Sequence, residues 1–223
     1  MICISIAGLS FERCREALSD AEMAEIRLDR LDFSLQQVRE VFSMRSGLIA
    51  ACRPGNISEA ERTGLLLAAV EAGAAYADIE IDAGAGFRET VTAACRKNDC
   101  KVIISYHNYE NTPPLEELKV LVNRCFSAGA DVAKIACQVN CKADAARILS
   151  LYDRDEIGNE NKKIVAIGMG EKGKITRPAA LLLGAPFTYA ALSEGRETAP
   201  GQMSKQTLED ILDQITGWRM NGE

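Results

Sequence analysis

Lys134 stands in the middle of an apolar run, Asp131-Val-Ala-Lys-Ile-Ala136. Lysine is almost never fully buried unless its charge is paired. An amine in that setting is therefore half of a core ion pair or a reactive nucleophile. His107 is the only histidine of the chain and closes another apolar run, with Ser105 two residues before it on the same strand face. Imidazole, which ordinarily titrates near pH 6.5, can accept and return a proton at neutral pH. A lone histidine is more often structural, but its position at a strand end favours acid–base work.

Two further segments carry charge with a period of two. Glu25, Arg27 and Asp29 alternate with Ile26 and Leu28, and Asp78, Glu80 and Asp82 alternate with Ile79 and Ile81. Strand residues two apart share a face, so each triplet needs a polar interior or a buried ion-pair network. The costs are large, because an unpaired buried charge is worth several kcal/mol. Arg53 follows a further apolar run.

The elements that must position these groups are short β-branched runs at even spacing, separated by amphipathic stretches. Strands are expected at Ile2–Ala7, Ala24–Asp29, Leu48–Cys52, Tyr76–Ile81, Lys101–Tyr106, Val132–Cys137, Ile164–Met169 and Phe187–Leu192. Helices are expected near Phe11–Ser19, Ser34–Phe42, Ser58–Ala72, Phe87–Lys97, Leu115–Ala128, Lys142–Tyr152, Arg177–Leu183 and Lys205–Trp218. Ser58 and Ser204 suit N-caps, Pro178 suits a first helical turn, and Gly73, Gly129 and Gly184 suit helix ends. Eight strand–helix repeats fit either a closed (β/α)8 barrel or an open doubly wound sheet. The charged strand faces decide for a single (β/α)8 TIM barrel, whose upper layer can be polar. No linker divides the chain, so residues 1–223 read as one α/β domain with its active site at the C-terminal strand ends.

Composition bounds the class. The chain has 223 residues, 26 Lys+Arg against 32 Asp+Glu, and a formal net charge of −6. That balance disfavours nucleic acid as a general partner. No apolar run approaches the roughly 18 residues of a membrane span, and the opening MICISIAGLS lacks the charged region of a signal peptide. A cytoplasmic protein that binds no membrane is expected. The 8 cysteines include no Cys-x-x-Cys, and with 1 histidine they read as reduced thiols rather than a zinc site. Gly168-Met-Gly-Glu-Lys-Gly173 fits a dinucleotide fingerprint, with Glu194 about 20 residues on. It begins at the seventh strand, too late for a nucleotide-binding half, and reads better as a flexible anion-binding loop with Arg177 at the start of the next helix.

Together these residues resemble the type I 3-dehydroquinate dehydratase family. The matching pieces, in order, are Glu25-x-Arg-x-Asp29, Arg53, Asp78-Ile-Glu80, Ser105-Tyr-His-Asn-Tyr with Thr112-Pro113, and Val132-Ala-Lys-Ile-Ala136. Met169-Gly170 with Thr176-Arg177, and Ala199-Pro-Gly-Gln202, complete the set. The resemblance implies a lyase of the shikimate pathway of aromatic amino acid biosynthesis, a cytoplasmic homodimer that removes water from 3-dehydroquinate to give 3-dehydroshikimate. It implies that Lys134 forms a Schiff base with the substrate ketone and that His107 moves the protons. Glu25, Arg27 and Arg53 match positions that hold ring hydroxyls and shape the pocket. Arg177 and Gln202 match the carboxylate end, Ser5 a first-strand contact, and Thr198 a position usually held by serine. No metal or organic cofactor is implied.

The chemistry is consistent with these residue types. A cationic iminium stabilises the carbanion formed beside a ketone, and lysine is the usual amine for this. An unperturbed lysine has a pKa of about 10.4, so roughly one amine in a few thousand is neutral at pH 7. Desolvation and cations such as Arg27 and Arg177 are expected to raise that fraction. Many members of the family it resembles carry an acid after the Arg53 position that helps orient the imidazole. Here the run is Pro54-Gly-Asn-Ile-Ser-Glu59, which leaves Glu59, Glu25 and Glu80 as candidates. Three other readings share some of these features: a Schiff-base aldolase using Lys134, a non-catalytic barrel binding an acidic metabolite, and a metal-assisted enolate former using Asp78, Glu80 and Asp82.

Overall fold

The computed structural model describes residues 1–153 and 162–217. Strands and helices alternate as β1 (Ile2–Ile6), α1 (Phe11–Leu18), β2 (Ala24–Arg27), α2 (Leu35–Met44), β3 (Leu48–Ala51), α3 (Glu59–Glu71), β4 (Tyr76–Glu80) and α4 (Ala85–Lys97). They continue as β5 (Lys101–Asn108), α5 (Leu115–Ser127), β6 (Val132–Gln138), α6 (Lys142–Leu149), β7 (Lys163–Met169), α7 (Thr176–Leu182), β8 (Thr188–Ala191) and α8 (Lys205–Thr216). Serines start several of the helices. Ser10, Ser34, Ser58 and Ser204 have extended backbones, and each side chain accepts from the amide three residues on. Such a cap is worth about 1 kcal/mol. The expected end of the last helix, Trp218, lies outside the described residues.

All neighbouring strands pair in parallel, in the order β7-β6-β5-β4-β3-β2-β1-β8, which makes a nearly closed (β/α)8 barrel. Outward-facing strand residues such as Ile26, Ala50, Ile79, Ile104 and Ile135 pack with the helices in the main core. The inward-facing residues divide into two zones. Cys3, Met23, Ile49, Ile103, Val132, Val165 and Phe187 form an apolar floor inside the barrel. One step further along each strand, on the same face, come Ser5, Glu25, Asp78, Ser105 and Lys134, all buried. The ion pairs thus lie above the floor rather than filling it.

Two of the charge alignments are shorter than the sequence suggests. β2 stops at Arg27 because Leu28–Arg30 turns into a 3-10 helix, so Asp29 leaves the strand face and its carboxylate folds back onto Arg27. β4 stops at Glu80, where the Ala83 amide donates back to the Glu80 carbonyl, and Asp82 points outward to within 3.6 Å of Arg124. β5 instead runs on to Asn108 and carries His107 within the strand. All 8 cysteines are free thiols, only Cys141 being exposed. None of the described helices is long and apolar enough to cross a membrane.

β7 and β8 are the two ends of the strand ladder, and side chain and loop join them. The Gly170 amide after β7 donates to the Pro200 carbonyl in the β8–α8 loop at 3.1 Å. Arg177, from α7, donates through Nη1 to the Tyr189 carbonyl at 3.0 Å and through Nε to the Gly201 carbonyl at 2.9 Å. Gly201 has φ +74°, and a Cβ there would overlap the Gly170 carbonyl. The fingerprint glycines Gly168 and Gly173 serve a separate close approach, between the end of β7 and the turn after it, since a Cβ on Gly173 would sit 2.5 Å from the Gly168 carbonyl carbon. Gly201→Ala is therefore expected to destabilise the protein by about 1–3 kcal/mol through backbone strain and separation of the seam. An unchanged urea midpoint would show that the seam tolerates the methyl group.

Candidate active site

One cavity opens at the C-terminal ends of the strands. Every site residue expected from the sequence lines it: Ser5, Glu25, Arg27, Arg53, His107, Lys134, Arg177, Thr198 and Gln202. They arrive from β1, β2, the end of β3, β5, β6, α7 and the β8–α8 loop. The barrel brings them together because Ser5, Glu25, Arg27, His107 and Lys134 face inward on their strands, while Arg53, Arg177, Thr198 and Gln202 come from the segments beyond the strand ends.

Asp78 organises the centre. Arg53 holds its carboxylate with two bonds, Nη1 to Oδ1 at 2.8 Å and Nη2 to Oδ2 at 2.5 Å. Ser105 donates to Oδ1 at 2.6 Å, and Lys134 Nζ donates to Oδ2 at 2.9 Å. Lys134 also donates to Glu25 Oε1 at 3.0 Å, while Ser5 donates to Glu25 Oε2 at 3.2 Å. The ammonium lies 4.0 Å above the Tyr189 ring, a cation–π contact. The charges nearest this amine are carboxylates, whereas the sequence alone points to Arg27 and Arg177 as its neighbours. Arg27 is instead paired with Asp29 at 2.8 Å.

Burial alone would raise the Asp78 pKa, but Arg53 and Lys134 overcome it and hold the carboxyl well below the ordinary range. His107 responds to burial first and then to Arg53 and Lys134, which together hold its pKa well below 6.5. The imidazole is therefore neutral at pH 7 and its Nδ1, though buried, has no hydrogen-bond partner among the described residues. Its nearest acid is Glu80, with Oε1 at 3.9 Å from Nδ1. Glu59 starts α3 and lies beside Gly84, and Glu25 is engaged by Lys134 and Ser5.

Arg177 is 1% exposed, and its guanidinium bonds to the two backbone carbonyls at the seam. Burial pushes its pKa down to about 10, still fully charged at neutral pH. Gln202 donates from Nε2 to Ser5 at 3.3 Å and accepts from the Thr198 amide and hydroxyl. A buried guanidinium held by carbonyls, beside a hydroxyl–amide pair, is suited to a carboxylate.

Asp78 and Tyr189 are the contacts of Lys134 missing from the sequence-derived site. Asp78 is visible in the sequence as a charge on an inward strand face, but its partners lie on β3, β5 and β6 and need the barrel closed. Tyr189 stands two residues from Phe187 on the inner face of β8, and nothing local distinguishes it from floor packing. Tyr109, Ile167, Met169 and Ala199 add the apolar wall of the cavity. Asp78, Glu80 and Asp82 do not converge on a metal site, and among the described residues no group of three or more His, Cys, Asp or Glu is placed to hold one.

A family model for type I 3-dehydroquinase matches residues 2–218. A 3-dehydroquinate dehydratase of Methanococcus maripaludis (strain C7) is 34% identical over 225 residues, covering 96% of this chain and 100% of that protein. One from Methanocaldococcus jannaschii is 32% identical, covering 99% and 98%. The type I 3-dehydroquinate dehydratase of Clostridium difficile, solved with covalently modified comenic acid, superimposes with a TM-score of 0.83 at 26% identity, covering 96% of this chain and 91% of that one.

The charge arrangement makes the fold sensitive at two positions. Asp78→Ala leaves two buried cations without their shared anion and is expected to cost about 3–5 kcal/mol in denaturant unfolding. A cost below about 1 kcal/mol would mean the cations find solvent. For His107, the unfolded chain takes up a proton near pH 6.5 and the folded chain only at lower pH. The unfolded state thus binds more protons in that window, and stability falls as pH drops below about 6.5. The contribution should vanish in His107→Asn, whose stability is expected to fall less steeply between about pH 7 and pH 5. Parallel curves for the two proteins would contradict the neutral buried ring.

Proposed function

Because this chain belongs to the type I 3-dehydroquinase family and dehydrates 3-dehydroquinate in the shikimate pathway, we propose that Lys134 and His107 carry the reaction inside the barrel mouth. The observation that supports this most strongly is the buried Lys134 amine in the same cavity as the chain's sole imidazole, with Arg177 at that cavity's wall.

Substrate entry places the ketone at Lys134 Nζ, and a carboxylate beside the ammonium takes up its proton. Asp78, committed to Arg53 and Ser105 as well, is a poor acceptor, so Glu25 is the group assigned this step. The free amine adds to the carbonyl carbon to give a carbinolamine, whose hydroxyl takes the proton held by Glu25 and leaves as water, so that an iminium forms and Glu25 is again a carboxylate. His107, neutral at the outset, removes the proton α to the iminium, and the electron pair moves into an enamine. The enamine expels the β-hydroxyl, which takes its proton from the imidazolium. Water then hydrolyses the conjugated iminium, returning Lys134 and 3-dehydroshikimate, with one net water released. Arg177 and Gln202 hold the substrate carboxylate, Thr198 braces Gln202, and Ser5, Arg27 and Arg53 face the ring hydroxyls. The working unit in this reading is a cytoplasmic homodimer, with no nucleic acid or membrane as partner and no cofactor.

Borohydride added with 3-dehydroquinate is expected to fix a stable mass on Lys134, and Lys134→Ala to abolish both turnover and labelling. Full turnover of Lys134→Ala would end the assignment. His107→Ala should lose roughly 100- to 10,000-fold in kcat while still forming the trapped imine. For Arg177→Ala, KM is expected to rise at least roughly tenfold, the effect of losing a charge-assisted contact. An unchanged KM would place the carboxylate elsewhere.

A further inference from the structure

We propose that Glu80 is the positioning residue for His107, holding the imidazole through Nδ1 and itself held in register by Arg62. This rests on His107 being the acid–base group of the reaction. Among the described residues nothing hydrogen-bonds to His107 Nδ1, although that nitrogen is buried and the ring stacks on Tyr109 with centroids 6.2 Å apart. A buried donor or acceptor left unmade is costly, and a base whose ring can rotate loses alignment with the proton it removes.

The charged groups around the ring come from four strands. Arg27 lies on β2, Arg53 at the end of β3, Asp78 and Glu80 on β4, and Lys134 on β6. Among these carboxylates and the nearby Glu25, Asp78 spends both oxygens on Arg53, Ser105 and Lys134, and Glu25 spends its own on Lys134 and Ser5. Glu80 divides its oxygens between a fixed cation and the ring. Its Oε2 is 3.7 Å from Arg62 Nη2, and its Oε1 is 3.9 Å from His107 Nδ1.

Arg62 is well placed to keep that division. It is buried in α3, donates through Nε and Nη2 to the Cys52 carbonyl at 3.1 and 3.0 Å, and stacks over Phe87 at 4.7 Å. The relay therefore runs from the backbone at the end of β3 through Arg62 and Glu80 to the imidazole. A separation of 3.9 Å is too short for an intervening water, so the contact proposed between the two side chains is a direct one. Catalytic hydrogen bonds are commonly long before substrate arrives and tighten in the complex. A proton on Nδ1, donated to Glu80, leaves Nε2 with its lone pair free as the base. Burial raises the Glu80 pKa and Arg53 opposes that, so Glu80 responds to the same residues that surround the ring.

The sole histidine makes the test direct, because untagged protein gives one imidazole signal in nitrogen-15 NMR. Wild-type protein is expected to show the Nδ1–H tautomer. In Glu80→Gln the titration should move to lower pH by at least roughly 0.7 pH unit, the effect of a unit charge about 4 Å away even in bulk water. The acid limb of kcat/KM should move the same way. kcat should fall roughly tenfold or more, within the range that acid–base catalysis supplies, while KM and borohydride trapping at Lys134 stay within about twofold of wild type.

An unchanged titration and tautomer in folded Glu80→Gln overturns the proposal. If that variant does not fold, Glu80→Asp keeps the charge but shortens the arm, and an unaltered kcat there overturns it equally. The NMR result stands apart from turnover. A shifted titration with normal turnover in His107→Ala would keep the Glu80–His107 contact while removing the acid–base role of the ring.

Discussion

The carboxylate of Asp78 is the contact on which the site depends. Two cations from distant strands, Arg53 and Lys134, share it, and Ser105 occupies the remaining acceptor site. Without such an anion, an ammonium on the inner face of an apolar strand would carry a desolvation cost of several kcal/mol. Asp78 makes a buried lysine tolerable at this position, and Glu25 adds a second partner that is less heavily committed. The network is local in space and remote in sequence, since its members sit on five different strand ends. Its formation therefore requires the barrel to be closed, and the barrel's upper layer in turn has no other means of accommodating so much charge.

The barrel interior is divided into an apolar floor and a charged layer above it. A floor of Cys3, Met23, Ile49, Ile103, Val132, Val165 and Phe187 closes one end. Polar groups begin only above it, and the cavity mouth faces the loops. Fields from Arg53 and Lys134 act in that enclosed volume with little screening. The same fields that keep Asp78 ionised add to the burial that keeps His107 neutral.

Much of this was legible in the sequence because period-two alternation reports strand faces directly. Strand positions followed from β-branched runs, and each of the nine expected site residues faces the cavity. Strand ends were less legible, since they depend on where a neighbour stops pairing. Asp29 and Asp82 therefore lie off the faces that alternation assigns them, and His107 falls inside its strand. The partners of Lys134 were hidden for a different reason. Local pattern shows that a charge points inward, but only cross-barrel geometry shows which opposite charge it meets. Tyr189 illustrates the limit, as an aromatic residue on an inner face looks the same whether it fills the floor or lies beneath an ammonium. Arg177 was legible as a cation near the seventh strand, whereas its bonds to the last strand and its loop were not.

Arg177 fastens the two ends of the ladder through its Nε and Nη1, and both acceptors are neutral carbonyls rather than carboxylates. A guanidinium bonded to neutral carbonyls keeps its whole charge, so the clasp that shuts the barrel also sets a cation in the cavity wall.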